Sequence, residues 1–117
     1  MSPIGIHQFT GKVMEKSICF QVLKMNNQLV IWVGLESEPV FKELALAMTT
    51  AYQNSPTSTK LMGDVSSLTS CTLASRISKR CNKPVFVSFN IPDSNEELFM
   101  KIEERLAEEM AVAPEFF

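Results

Sequence analysis

The stretch Ile18-Cys19-Phe20-Gln21-Val22-Leu23-Lys24-Met25-Asn26-Asn27-Gln28-Leu29-Val30-Ile31-Trp32-Val33 decides the fold. Ile18, Phe20 and Val22 alternate with Cys19, Gln21 and Leu23, and the run Leu29 to Val33 follows a polar break at Asn26-Asn27. Alternation at period two marks strands, and an Asn pair suits the positive φ angles of a tight turn, so the stretch reads as a β-hairpin. Leu29, Ile31 and Val33 fall on one side of its second strand, Val30 and Trp32 on the other. A sheet with one face in water would not carry large apolar side chains on both, so each side calls for a cover.

Outward from the hairpin, Ile4 to Met14 reads as a weaker strand or two short ones, interrupted by Gly11. The segment 41–50 is ambiguous. Phe41, Leu44, Ala45 and Met48 fit a helix, whereas Leu44, Leu46 and Met48 fit a strand. From Tyr52 to Thr59 the chain is polar and broken by Pro56, and Thr57 to Met62 looks extended. Gly63-Asp64 suits a turn, with Asp64 or Ser66 capping the helix that follows.

That helix, Ser66 to Cys81, places Leu73, Ala74, Ile77 and Cys81 on a core side and Arg76, Lys79, Arg80 and Lys83 in a basic stripe opposite, with Asn82 as a left-handed stop. A second helix starts at a capping box, Ser94 and Glu97, and runs to Ala111. Its core side is Leu98, Phe99, Ile102, Leu106 and Met110, and Glu97 and Lys101 are spaced for an ion pair. Between the helices, Val85, Val87, Phe89 and Ile91 mark one face of a strand and Phe86, Ser88 and Asn90 the other. Trp32, Phe86 and Phe89 read as sheet core. The fold class is therefore α+β: a mostly antiparallel sheet with two helices packed on it, a strand-rich N-terminal half followed by helix, strand, helix. Two helices cover one face of such a sheet. The other calls for a second subunit, or for the sheet to fold over on itself as a sandwich.

At 117 residues, 45% of them hydrophobic, the chain suits one domain spanning 1–117, since halves would be too small to hold a core. No apolar run approaches the ~20 residues of a membrane helix, and Met1-Ser2-Pro3-Ile4 lacks the basic-then-apolar order of a signal peptide. The expected location is cytoplasmic, and nuclear as well, without a membrane partner. Cys19, Cys71 and Cys81 are odd in number and contain no Cys-x-x-Cys pair, so they read as reduced, packed thiols.

The net charge of −2 conceals a segregation. Residues 1–59 balance, residues 60–92 set five cations against Asp64 alone, and residues 93–117 set eight acids against Lys101 and Arg105. A basic and an acidic end give complementary charge a part in orienting a protein partner.

Nothing in the chain has the pattern of a catalytic site. His7 is the single histidine and stands near a terminus expected to fray, so it reads as a surface or strand-edge residue. The Ser and Thr residues from Ser66 to Thr72 form no nucleophile elbow, and Leu61-Met62-Gly63-Asp64 is no phosphate loop. The acids of 96–109 interleave with Lys and Arg as on a solvated helix face, which argues against metal or paired-carboxylate chemistry. The basic stripe lacks the aromatics of a nucleic-acid module. No cofactor or metal is expected. Partner binding is assigned to Arg76, Lys79, Arg80 and Lys83.

One further pattern spans nearly the whole chain. Pro56, Ser58, Thr59, Leu61, Gly63, Asp64, Ala74 and Ile77 precede Asn82-Lys83-Pro84-Val85-Phe86-Val87-Ser88-Phe89-Asn90. Leu29 to Gly34, the alternation Leu44-Ala45-Leu46-Ala47-Met48, and Glu108-Glu109-Met110 with Pro114-Glu115 behind it complete the order. This resembles the proteasome assembly chaperone 4 family. The resemblance implies a strand within 41–50 and a non-enzymatic protein that pairs with proteasome assembly chaperone 3. It implies docking on the α-ring face that later receives β-subunits, contact near α5, and departure as the β-ring forms. Other proteasome binders end in a hydrophobic-Tyr-x motif, from which Glu115-Phe116-Phe117 departs. The competing readings are a dimeric roadblock-like signalling scaffold and, more remotely, a hydrolase.

Overall fold

A computed structural model describes residues 5–37, 40–48, 57–63, 69–91 and 96–117. Two hairpins open the chain. β1 (Gly5–Val13) runs unbroken through Gly11 and turns into β2 (Lys16–Met25) at Met14 and Glu15, both left-handed with φ of 49° and 68°. No glycine or asparagine announces that turn. β2 turns into β3 (Gln28–Leu35) at Asn26-Asn27, where Asn27 takes the positive φ of 65°.

The ambiguous segment is a strand, β4 (Leu44–Met48), paired antiparallel with β5 (Thr57–Met62). α1 (Thr69–Cys81) ends at Asn82, whose φ is 55°. β6 (Val85–Asn90) and α2 (Glu96–Val112) follow, and a single 3-10 turn, Pro114–Phe116, closes the described chain. Asp64, Ser66 and Ser94 lie outside the described residues, and with them the proposed caps.

The six strands form one sheet in the order β1-β2-β3-β6-β4-β5. Every neighbouring pair is antiparallel except β3 and β6, which run parallel from Leu29↔Val85 to Gly34↔Asn90. Register sorts the side chains by face. Phe9, Phe20, Val33 and Phe89 lie in one row and Val22, Ile31, Val87 and Ala45 in the next, all buried. Both helices pack on this side. α1 sends in Leu73, Ala74 and Ile77, and α2 sends in Leu98, Ile102 and Leu106. The core sits between sheet and helices, and full burial of each of its Val, Leu, Ile and Phe side chains stabilises the fold by roughly 1.5–3 kcal/mol.

Gly11 is small because α2 passes close: a Cβ there would stand 2.9 Å from Cγ of Arg105. The i, i+4 ion pair on α2 is Arg105 with Glu109 at 3.1 Å, not Glu97 with Lys101, both of which are exposed.

Candidate functional site

The opposite sheet face carries no helix among the described residues. Its central row runs Ile6, Leu23, Val30, Phe86 and Leu46, one side chain from each of five strands in register. Ile6 is 73% exposed and Met48, at the β4 end, 39%. The next row holds Gln8, Gln21, Trp32 and Ser88. Alternation places one charged strand residue on this face, Lys12 at a corner. Trp32 and Phe86 therefore differ from the expectation of core. Both are half-buried on this open face, while Phe89 alone of the three lies under the helices.

A short strap, Val40 to Glu43, crosses one end of the face. Trp32 Nε1 donates to the Val40 carbonyl at 2.9 Å, and the indole lies so near Gly34 that a Cβ there would meet the ring at 2.5 Å. Asn90 anchors the strap from below. Its Oδ1 accepts from the amides of Lys42 at 2.7 Å and Glu43 at 3.2 Å, while Nδ2 donates to Ser88 Oγ at 2.8 Å and the Val33 carbonyl at 3.3 Å. This explains two polar residues at the end of an otherwise apolar strand. Asn90 satisfies backbone groups ahead of β4, and Ser88 accepts from its side-chain amide and so helps to orient it. Strap and sheet border an open pocket of 580 Å³ lined by Gln8, Cys19, Gln21, Trp32, Val40 and Phe41 among others.

The basic stripe does not survive folding as a free row. The Arg76 guanidinium pairs with Glu103 and sits 5.7 Å over the Phe99 ring, and Lys83 Nζ donates to the Phe117 carbonyl. Lys79 and Arg80 remain exposed without an ion pair among the described residues. Charges segregated along the sequence thus meet across the α1–α2 seam. Periodicity identifies the stripe, but only the relative placement of the helices reveals that pairing.

His7 lies on an edge strand, as expected, but its ring faces the helices. Nε2 is 2.7 Å from Glu109 Oε2, and the imidazole stacks on Phe9 at 5.3 Å and Phe116 at 4.0 Å. Its described partners are a carboxylate and two aromatic rings. The His7 hydrogen bond holds the Glu109 carboxyl below the usual range, with Arg105 acting in the same direction against the effect of burial. All three cysteines are free thiols, and among the described residues no three His, Cys, Asp or Glu gather as a metal site.

The model of the family described as proteasome assembly chaperone 4 matches residues 17–91. Human proteasome assembly chaperone 4 is 37% identical over 114 residues, covering 97% of this chain and 91% of its own. The chain belongs to the proteasome assembly chaperone 4 family. The mouse member is 35% identical over the same share of each chain. A chain from the crystal structure of a chaperone complex for yeast 20S proteasome assembly superposes with a TM-score of 0.67 at 11% identity, covering 92% of this chain and 96% of that one, which establishes likeness of fold. The matched family region runs from β2 through β6, so it contains Trp32, Asn90 and most of the open-face row. His7, Glu109 and Phe116 lie outside it.

Proposed function

We propose that this chain is a non-enzymatic chaperone of 20S proteasome assembly, acting as a heterodimer with proteasome assembly chaperone 3 to promote α-ring formation, with its contact near α5. The observation that carries this reading is the open sheet face. Six strands at about 4.8 Å spacing, averaging some seven residues, present on the order of 700 Å². That approaches the ~800 Å² that each partner buries in a stable complex. An apolar central row flanked by uncharged polar side chains, with one corner charge, suits a face that stays covered, because a buried unpaired charge would oppose association. The family membership, and a structural neighbour taken from a chaperone complex, support the choice of partner.

The mechanism is steric and entropic. A surface that holds α-subunits in the right neighbour order and competes with incoming β-subunits needs no covalent step. The same reading places the protein in the cytoplasm and nucleus.

Sizing chromatography and pull-down test it. Expressed alone the chain should self-associate or aggregate, and with chaperone 3 it should elute as a defined complex that retains α-subunits. A stable monomer whose melting temperature ignores chaperone 3 overturns the heterodimer. Capture of a membrane-complex scaffold in place of α-subunits favours the roadblock-like alternative.

A further inference from the structure

The helix layer carries a second surface. Where α1 and α2 both end, a 360 Å³ cup opens, lined by Arg80, Cys81, Met110, Ala111, Pro114 and Phe117. Five of these six are apolar or neutral and the sixth is a cation. The cup is held open by the segment that follows α2: Phe116 stacks on His7, Lys24 Nζ donates to the Glu115 carbonyl at 2.9 Å, and Lys83 Nζ donates to the Phe117 carbonyl. Phe117 is thereby 7% exposed and forms a fixed wall rather than a loose end.

Arg80 stands on the lip. It also borders a neighbouring groove that holds Glu96, Glu103 and Glu104, yet it forms no ion pair with them, Glu103 being taken by Arg76. Burial pushes the Cys81 thiol up, so Cys81 is a neutral wall, while Lys83, Arg80 and Lys24 all act on it in the opposite sense. Three cations thus act on the cup, Lys83 bound to Phe117 and Lys24 to Glu115 with Arg80 left over, and no side-chain carboxylate lines it. Glu115, on the adjoining turn, is exposed.

We propose that this cup is a docking site for a partner protein's exposed segment in which a large apolar side chain enters the cup and a neighbouring carboxylate meets Arg80. The volume lies at the low end of roughly 300–1,000 Å³ for ligand sites, enough for one large side chain with its flanking backbone. The unpaired cation supplies the charge complementarity that selects an acidic neighbour over a basic one. The site lies on the layer opposite the open sheet face, so it is independent of the heterodimer and both surfaces can be engaged together.

The test is a ¹⁵N NMR titration of the full chain, alone or in whichever complex the sizing experiment yields. The probes are acetyl-Leu-Phe-Glu-amide and its charge-reversed counterpart acetyl-Leu-Phe-Lys-amide. The acidic probe should shift resonances of residues 79–83, 110–111 and 114–117, and the basic probe should bind more weakly. Arg80→Glu should weaken the acidic probe about fivefold, the size of one rim charge contact, with an unchanged melt because Arg80 is exposed. Ala111→Phe, which fills the cup, should abolish the shifts for both probes. Equal binding of the two probes, shifts elsewhere on the surface, or indifference to both substitutions overturns the proposal, whatever the fate of the heterodimer.

Discussion

The ring of Phe116 lies flat on the imidazole of His7, centroids 4.0 Å apart and planes 4° from parallel. Residues more than a hundred positions apart so join an edge strand to the turn that follows the last helix, and Glu109 completes the join from α2. Removing His7 deletes a stack and a hydrogen bond together. His7→Ala should cost about 1–2 kcal/mol, and Phe116→Ala about half of that. Urea melts measure both. A loss within error for His7→Ala would reduce the cluster to a surface contact.

The same cluster sets an acid limit. The folded Glu109 carboxyl titrates below its ordinary value of 4.5, chiefly through the His7 hydrogen bond. The group therefore adds stability above that ordinary value, and the contribution disappears as pH falls through the lowered folded value. Thermal melts from neutral pH downward should show wild type more stable than Glu109→Gln at neutrality, with the gap closing in acid. A gap that persists at the lowest pH would assign the difference to packing.

Trp32 is a boundary residue. Its half-buried ring leans on Gly34 and its Nε1 holds the strap at Val40, so Trp32→Ala should lower domain stability by about 1–2 kcal/mol, less than the 3–5 of a fully buried aromatic. If the open face is the proposed interface with chaperone 3, the effect on pairing should be larger, because anchors of this type dominate interface energies. Denaturant melts and partner titration on one preparation separate the two. A large loss of stability with intact pairing would move Trp32 back to the core.

Asn90 is the more dangerous position despite its smaller side chain. Asn90→Ala leaves the amides of Lys42 and Glu43 without their acceptor in a part-buried site, so it should cost about 2–3 kcal/mol. Asn90→Asp should recover part of that, since a carboxylate accepts the same two amides. Melts of the pair decide this, and equal losses would show that the Nδ2 donations matter more.

Period-two alternation reads Ile18 to Val33 as a hairpin, and the apolar residues on both sides of Leu29 to Val33 call for two covers, of which the two helices supply one. At Leu44 to Met48 the residues alone support both helix and strand, and the family likeness resolves them as β4. The first hairpin carries no such signal at its turn, since Met14 and Glu15 take left-handed conformations that neither residue type advertises. Trp32 and Phe86 read as core because hydrophobicity alone does not tell the face under the helices from the half-buried open one. The His7–Glu109–Phe116 cluster leaves no sequence signature, its members being tied by topology rather than spacing. Periodicity shows the basic stripe as a helix face but not its partial neutralisation by Glu103, which depends on how two helices pack.

The parallel pairing of β3 with β6 also governs the order of folding. β6 lies between β3 and β4, strands that follow each other in the chain, so the sheet cannot close until residues 85–90 are present. Before then β1 to β3 can form one meander and β4 with β5 a separate hairpin, each exposing an edge reserved for the same missing strand. Closing such long-range pairings late is slow and leaves strand edges open to other chains. A chain cut after residue 84 should hold two fragments of sheet with nothing to join them.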